Sequence, residues 1–208
     1  MECKPDLRRA AITRRDNLPA QEIRRRSAAA SSHLFGLPEF RFAATAMFFV
    51  SFGSEIDTLP MIETALAQGK RVAAPRADPG SRALLPCEIR NAAEDLAPGA
   101  HNIQEPRAHC PPVALEEIDL VIVPAAVWGE DGYRIGYGGG YYDRFLVRLP
   151  RATRVGLGLE TQVVAQVPHG PQDLPVDCLV TEAGVRRFAG GDSDSAKGGH
   201  HVTGPDST

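Results

Sequence analysis

The sequence predicts an α/β protein in three layers, an open and mostly parallel sheet with helices on both faces. Three observations lead there. Short apolar runs such as AATAMFFV (43–50), RVAAP (71–75) and DLVIV (119–123) are bounded by turn residues, as buried strands are. Segments with helical spacing stand between them. Strands alternating with helices make βαβ units, whose crossovers cover both faces of a parallel sheet.

The elements follow in order. Residues 5–16 read as a helix with Pro5 in its first turn, and residues 19–34 as a second, closed off by Gly36 and Pro38. Residues 43–50, with a Phe pair and Val, form a buried strand. Asp57 or Thr58 caps a helix that runs to Gln68 and ends at Gly69. Strands are expected at 71–75 and 82–89, while 91–112, broken by four prolines, reads as irregular. The strand at 119–123 leads into a glycine-rich stretch, and helical spacing resumes over 141–147. A strand at 154–159, a short helix or turn at 161–167 and a strand at 178–181 complete one domain, residues 1–188. From 189 onward the chain is rich in Gly, Ser and Asp and nearly free of large apolar residues, which predicts a disordered tail that includes His200 and His201.

At 208 residues, 43% apolar and 24% charged, the chain is of ordinary globular composition. Its formal charge of -3 argues against nucleic-acid binding through an overall field. The charge is nevertheless uneven: between Lys4 and Arg26 eight basic residues face three acids. The longest apolar run, 42–50, is too short to cross a bilayer, and the charged first residues do not suit a signal peptide. The four scattered cysteines (Cys3, Cys87, Cys110, Cys178) read as free thiols in a reducing compartment. These features predict a cytoplasmic protein with no membrane partner.

In open α/β sheets ligands bind beyond the carboxyl ends of the strands. That rule selects Glu55 in the turn 51–58, Arg76, Trp128 with the glycine loop, and Glu160 with Gln162. The loop reads Arg134, Ile135, Gly136, Tyr137, Gly138, Gly139, Gly140, Tyr141, Tyr142. Side-chain-free positions let successive N–H groups face an anion, and the helix start adds its positive end, so the loop is either a phosphate cradle or a flexible strand-to-helix turn. It is neither GxxxxGK[ST] nor GxGxxG, since Tyr141 stands where the last glycine would. Lys4 and Arg8, four apart, share a helix face and either grip a polyphosphate or are merely solvated. Asp143 and Asp173 are either Mg2+ partners or turn and helix residues. Glu55 either binds a nitrogen-rich ligand or is a surface acid. Nucleophile chemistry has little footing: Ser51 and Ser54 lack an elbow context, and His109 beside Cys110 has no third partner in the sequence.

Taken in order, several motifs resemble the 5-formyltetrahydrofolate cyclo-ligase family, also called methenyltetrahydrofolate synthetase. They are K-P-D-L-R (4–8), S-x-x-S-E-x-D-T (51–58), I-Q-E-P (103–106), D-L-V-I-V-P (119–124), R-I-G-Y-G-G-G-Y-Y-D-R-F-L (134–146) and D-L-P-V-D-C-L-V-T-E (173–182). The R-x-G-x-G-x-G-Y-Y-D block after a D-L-hydrophobic-P strand is the most specific of them, and the match spans nearly all but the tail.

The resemblance implies a Rossmann-like sheet similar to the NagB/RpiA/CoA-transferase-like fold and a first helix that leaves no room for a presequence. It implies conversion of 5-formyltetrahydrofolate to 5,10-methenyltetrahydrofolate, with ATP becoming ADP and phosphate. By resemblance, Lys4, Arg8 and the loop 134–142 hold ATP, Asp143 and Asp173 partner Mg2+, and Glu55 anchors the pterin or its formyl group, with Met47, Trp128 and Tyr137 beside the folate. The chain departs from the family where basic residues are common in the loop, at Tyr137 and Gly139, and Arg76, Arg144 or Arg14 would supply the missing charge. The partners implied are reduced folate and ATP, acting on a monomer. Rival readings are a folate or nucleotide sensor without turnover and a sugar-phosphate isomerase or transferase on a related fold.

Overall fold

A computed structural model describes residues 3–99 and 103–188. In chain order it contains helices and strands α1 (Lys4–Asp16), α2 (Ala20–Gly36), α3 (Pro38–Phe42), β1 (Thr45–Met47), α4 (Leu59–Ala67), β2 (Arg71–Asp78), β3 (Ala83–Ile89), α5 (Ala92–Asp95), β4 (Leu96–Pro98) and β5 (Gln104–Pro106). There follow β6 (Leu120–Val123), β7 (Val127–Gly129), β8 (Arg134–Ile135), α6 (Tyr141–Leu146), β9 (Thr153–Leu157), β10 (Val163–Val164), β11 (Cys178–Thr181) and β12 (Gly184–Arg187). Single 3-10 turns occur at Leu115–Glu117 and Glu160–Gln162. The tail expected from 189, with His200 and His201, lies outside the described residues.

Seven strands build the main sheet in the order β12-β11-β9-β6-β1-β2-β3. Its inner strands, β11 to β2, are parallel, and the edges β3 and β12 run antiparallel to their neighbours. This is the mostly parallel sheet that the alternation of elements predicts. Because side chains alternate across a strand, each strand feeds both faces. Ala46, Val72, Ala74, Leu120, Ile122, Val155 and Leu157 pack with Leu34, Phe40, Met61 and Ile62 from α2, α3 and α4. Met47, Ala73, Val121, Val123 and Leu179 point the other way, to Trp128 and to Phe145 and Leu146 of α6. A smaller cluster seats α1 by Ala11 on Val127 and Ile135, in the three-stranded sheet β10-β7-β8.

The long helices lie within two residues of their predicted limits, because their ends carry readable signals. Gly69 takes φ +77, and the N–H groups of Gly69 and Lys70 return to Leu66 and Ala65, closing α4 in the left-handed cap that favours glycine. At the other end of α4 the capping oxygen belongs to Asp57, which accepts from Leu59 N–H at 3.2 Å. The Thr58 hydroxyl instead donates to Phe49 O and accepts from Ser51 N–H, both at 2.9 Å. Those bonds belong to the turn rather than to the ladder, so the strand predicted over 43–50 is a strand over Thr45–Met47, with a last bond from Phe48 N–H to Ala73 O at 2.9 Å, while 48–50 stay buried.

Other differences are local. The stretch 91–112 is not irregular throughout: Asn91 caps α5 by accepting from Ala93 N–H at 3.0 Å, and β4 pairs antiparallel with β5. The segment at 161–167 is a 3-10 turn followed by β10. The elements α3, β7, β8 and β12 are too short to show periodicity in the sequence.

Trp128 fixes the spacing on the second face. It is fully buried, and a Cβ built on Gly156 would lie 2.6 Å from its Cη2 atom. Gly156→Ala is therefore expected to overpack a rigid ring and lower stability by about 1–3 kcal/mol, read from urea unfolding; an unchanged midpoint would mean that the ring has room.

Candidate active site

The glycine loop starts from a buried arginine. Arg134 on β8 donates to Leu174 O at 2.7 Å and to Asp143 Oδ1 at 2.6 Å, so one guanidinium ties the strand before the loop to the helix after it. Between these ends the backbone uses positive φ at Gly138 (+103) and Gly140 (+64), a region that disfavours a Cβ. Arg8 Nε donates to Gly136 O at 2.7 Å, and Arg144 donates to Gly139 O at 2.6 Å. The loop is thus an arch held at its base and flanked by two cations, not a free turn.

Helix α1 supplies a further charge. Lys4 Nζ meets Asp173 Oδ2 at 2.8 Å, and Gly170 N–H donates to the same oxygen at 2.8 Å. Neither Lys4 nor Arg8 is merely solvated; both reach across the chain to the expected site. An open cleft of about 430 Å3 lies beside Lys4, lined also by His169, Gln172 and Asp173 among others. His169 stacks on Tyr133 with ring centroids 3.6 Å apart, a pairing that no sequence signal announces.

At the crown of the arch, the Tyr137 hydroxyl donates to Glu55 Oε1, and Glu55 Oε2 accepts from Phe52 N–H at 3.1 Å. Glu55 is only 6% exposed, so the surface reading of this acid does not hold. Burial pushes its carboxyl above the ordinary range, against the opposing pull of the Tyr137 hydrogen bond and the Arg15 charge. Arg15 NH1 donates to Tyr137 Oη at 2.7 Å and lies 3.9 Å from Glu55 Oε1. Behind this group the cleft between Arg15, Glu55, Ala125 and Gln162 leaves no space for a water molecule.

Several expected residues make contacts within the protein that the sequence does not announce. Met47 and Trp128 are fully buried in the second-face core, and neither forms a wall of the cleft. Ile135 packs under α1. Tyr141 carries the Arg144 guanidinium 5.8 Å above its ring, and the buried Tyr142 hydroxyl has no hydrogen-bond partner among the described residues. Of the three arginines expected to make good the loop's missing charge, Arg144 reaches it. Arg76 is turned to the carbonyls of Pro106 and Arg107, and Arg14 to Thr161 O.

Sequence reasoning misses Arg15, though its position is readable: residues 4, 8 and 15 fall on one helical face. The third partner lacking for His109 and Cys110 in the sequence is supplied by the fold, for His109 Nε2 lies 2.8 Å from Asp95 Oδ1. These groups fasten a loop. Asp95 Oδ2 already takes the N–H groups of Arg90 and Asn91, and burial pushes the Cys110 thiol up.

A sequence model of the 5-formyltetrahydrofolate cyclo-ligase family matches residues 1–182. The chain belongs to the 5-formyltetrahydrofolate cyclo-ligase family. It is accordingly an enzyme, a ligase. The 5-formyltetrahydrofolate cyclo-ligase of Escherichia coli strain K12 is 31% identical over 175 residues, covering 83% of this chain and 96% of the relative. The solved 5,10-methenyltetrahydrofolate synthetase of Aquifex aeolicus superposes with a TM-score of 0.80 at 33% identity, covering 95% of this chain and 99% of that one. That of Mycoplasma pneumoniae, at 19% identity, shares the fold with a TM-score of 0.70 over 86% of this chain and 98% of its own. Among the described residues no helix is long and apolar enough to cross a membrane.

The raised carboxyl of Glu55 gives a testable pH dependence. An acid that titrates higher in the folded than in the unfolded state binds more protons when folded, so stability falls as pH rises from about 4.5 through its folded value. The stability of the wild type relative to Glu55→Gln is expected to decline across that window and then level off, as followed by denaturant unfolding at a series of pH values. A difference independent of pH would mean that Glu55 is not held in this buried state.

Proposed function

We propose that the enzyme closes 5-formyltetrahydrofolate to 5,10-methenyltetrahydrofolate with Mg-ATP, releasing ADP and phosphate. One observation carries the reading. Neighbouring loop residues touch two chemically different groups, Gly136 through its carbonyl on the α1 cation Arg8 and Tyr137 through its hydroxyl on the buried acid Glu55. A loop that joins cations to a carboxylate is suited to bring a triphosphate against a ring bearing N–H donors.

The chemistry explains why no protein nucleophile is needed. A formamide oxygen leaves poorly, so transfer of the γ-phosphoryl group to it makes a better leaving group; ADP departs. The neighbouring side-arm nitrogen then attacks the activated carbon, its proton is released, and phosphate leaves as the ring closes. Such phosphoryl transfer depends on in-line positioning and charge neutralisation. In this reading Lys4, Arg8 and Arg144 neutralise phosphate charge, the N–H groups of 136–140 orient it, and Arg134 holds the arch. Glu55 accepts hydrogen bonds from the pterin and fixes the formyl group in line.

The acids fit a magnesium ion. Asp143 and Asp173 are partly exposed, and each uses only one carboxylate oxygen in hydrogen bonds among the described residues. Hard cations of this kind take such oxygens together with phosphate and water. When bound, the ion would offset charge on the phosphates. We take the site to be contained within one chain.

The test is a purified reaction with 5-formyltetrahydrofolate and Mg-ATP, following methenyl product and ADP with each substrate omitted in turn. Product and ADP should appear together, only when both substrates are present; ATP-independent conversion would refute the reading, and tight binding without turnover would favour a sensor. Arg8→Ala is expected to raise the KM for ATP about tenfold, as loss of a charge-assisted contact does. An unchanged value would remove Arg8 from the site. Asp143→Asn should weaken the dependence on Mg2+, and a wild-type magnesium titration in that variant would dismiss Asp143 as a partner of the ion.

A further inference from the structure

Arg15 is the buried charged side chain, among the described residues, that the proposed reaction leaves without a task. It stands in the last turn of α1 and is 3% exposed, while its neighbours Arg14 and Asp16 face solvent. A guanidinium is seldom buried unless other groups hold it. Here Nε donates to Ser54 Oγ at 2.9 Å and NH1 to Tyr137 Oη at 2.7 Å. Ser54 in turn donates to Asp16 Oδ1. The guanidinium is therefore fixed from the turn 51–58, and it fixes the phenol that sits on Glu55.

The Tyr137 phenol occupies Glu55 Oε1 from the loop side, while Oε2 is committed to Phe52 N–H. No water-sized space remains behind the acid. A ligand whose N–H donors take the place of the phenol on Oε1 displaces it from the acid. Once it does, Glu55 loses one hydrogen bond from the chain and keeps Arg15, the one basic side chain within ion-pairing distance among the described residues.

We propose that Arg15 is a positioning residue of the folate site, which keeps Glu55 ionised and in place while Oε1 passes from the Tyr137 phenol to the N–H donors of the reduced pterin. The inference rests on the reading of Glu55 as the pterin anchor. It also accounts for the tyrosine in the loop, because a neutral phenol can leave the carboxylate where a loop cation would stay paired to it.

The groups that face Glu55 are few. Arg15 comes from α1 with Asp16 behind Ser54, Tyr137 from the loop, Tyr142 from α6, and Arg134 lies beyond Tyr142. Burial pushes both phenols up and keeps them protonated. Glu55 is thus the group within this set whose protonation would control acceptance of N–H donors. Removing a nearby opposite charge raises a carboxyl by roughly 1–3 pH units.

The experiment measures binding of 5-formyltetrahydrofolate to the full chain without ATP, by calorimetry from pH 5 to 9. The proteins compared are the wild type, Arg15→Met, Arg15→Lys, Ser54→Ala and Glu55→Gln. Wild-type affinity should fall toward acid pH as Glu55 protonates. Arg15→Met should move that limb up by about one unit or more and weaken binding roughly tenfold at pH 7, with the KM for ATP unchanged. Arg15→Lys should return the limb close to its wild-type position. Ser54→Ala, which unfastens the guanidinium without removing it, should shift the limb the same way by less, and it decides the matter if Arg15→Met does not fold. An unmoved limb in the variants that fold, or an equal loss of folate and ATP affinity, overturns the role proposed for Arg15. Unchanged folate binding in Glu55→Gln overturns instead the reading of Glu55 on which it rests.

Discussion

A buried guanidinium needs partners, and Arg134 finds them by joining three separate parts of the chain. It leaves β8, reaches the carbonyl of Leu174 ahead of β11, and pairs with Asp143 at the start of α6. The glycine segment between β8 and α6 is therefore clamped at its base, and its permissive backbone is confined to an arch. Removing the Asp143 carboxylate would leave the buried guanidinium short of its charged partner, although Asp143 itself is partly exposed. The clamp makes it possible for a backbone rich in glycine to hold a definite shape.

With the base fixed, the arch spans two chemically different shores. On one lie Lys4, Arg8 and Asp173, beside an open cleft; on the other lie Arg15, Glu55 and the turn 51–58. The sheet explains the meeting, since β1 and β6 are neighbours and the segments leaving their carboxyl ends carry Glu55 and the arch. Helix α1, seated on β7 and β8 by Ala11, brings its cations to both shores from a single rigid element. On the proposed reading, nucleotide and folate approach from opposite sides of one loop. Substrate binding and phosphoryl positioning are then parts of the same movement, with Tyr137 leaving Glu55 as the ligand arrives.

Much of this is legible in the sequence. The parallel sheet follows from apolar runs alternating with helical spacing, and the helix ends follow from Gly69, Gly36 and Pro38. Lys4, Arg8, Glu55, Asp143 and Asp173 stand out by type, spacing and resemblance, and the fold draws them around one loop. What is not legible depends on contacts between distant residues. Whether Arg134 faces a ligand or clamps the chain is decided by Leu174 and Asp143, and whether Trp128 lines a cleft or fills a core is decided by Gly156 and Gly158. Arg15 shares the helix face of Lys4 and Arg8, but its burial and its partners appear only once the arch folds over it. The two-residue strands β8 and β10 carry too few positions for any period to appear.

The central claim is that the clamped arch holds the triphosphate while Glu55 holds the pterin across it. The most direct measurement is a crystal structure of the enzyme with a non-hydrolysable ATP analogue, magnesium and 5-formyltetrahydrofolate. The account predicts phosphate oxygens on the backbone N–H groups of residues 136–140, the pterin on Glu55, and the Tyr137 hydroxyl moved away from that acid. An empty arch with Tyr137 still on Glu55 and the nucleotide bound at another face would contradict it.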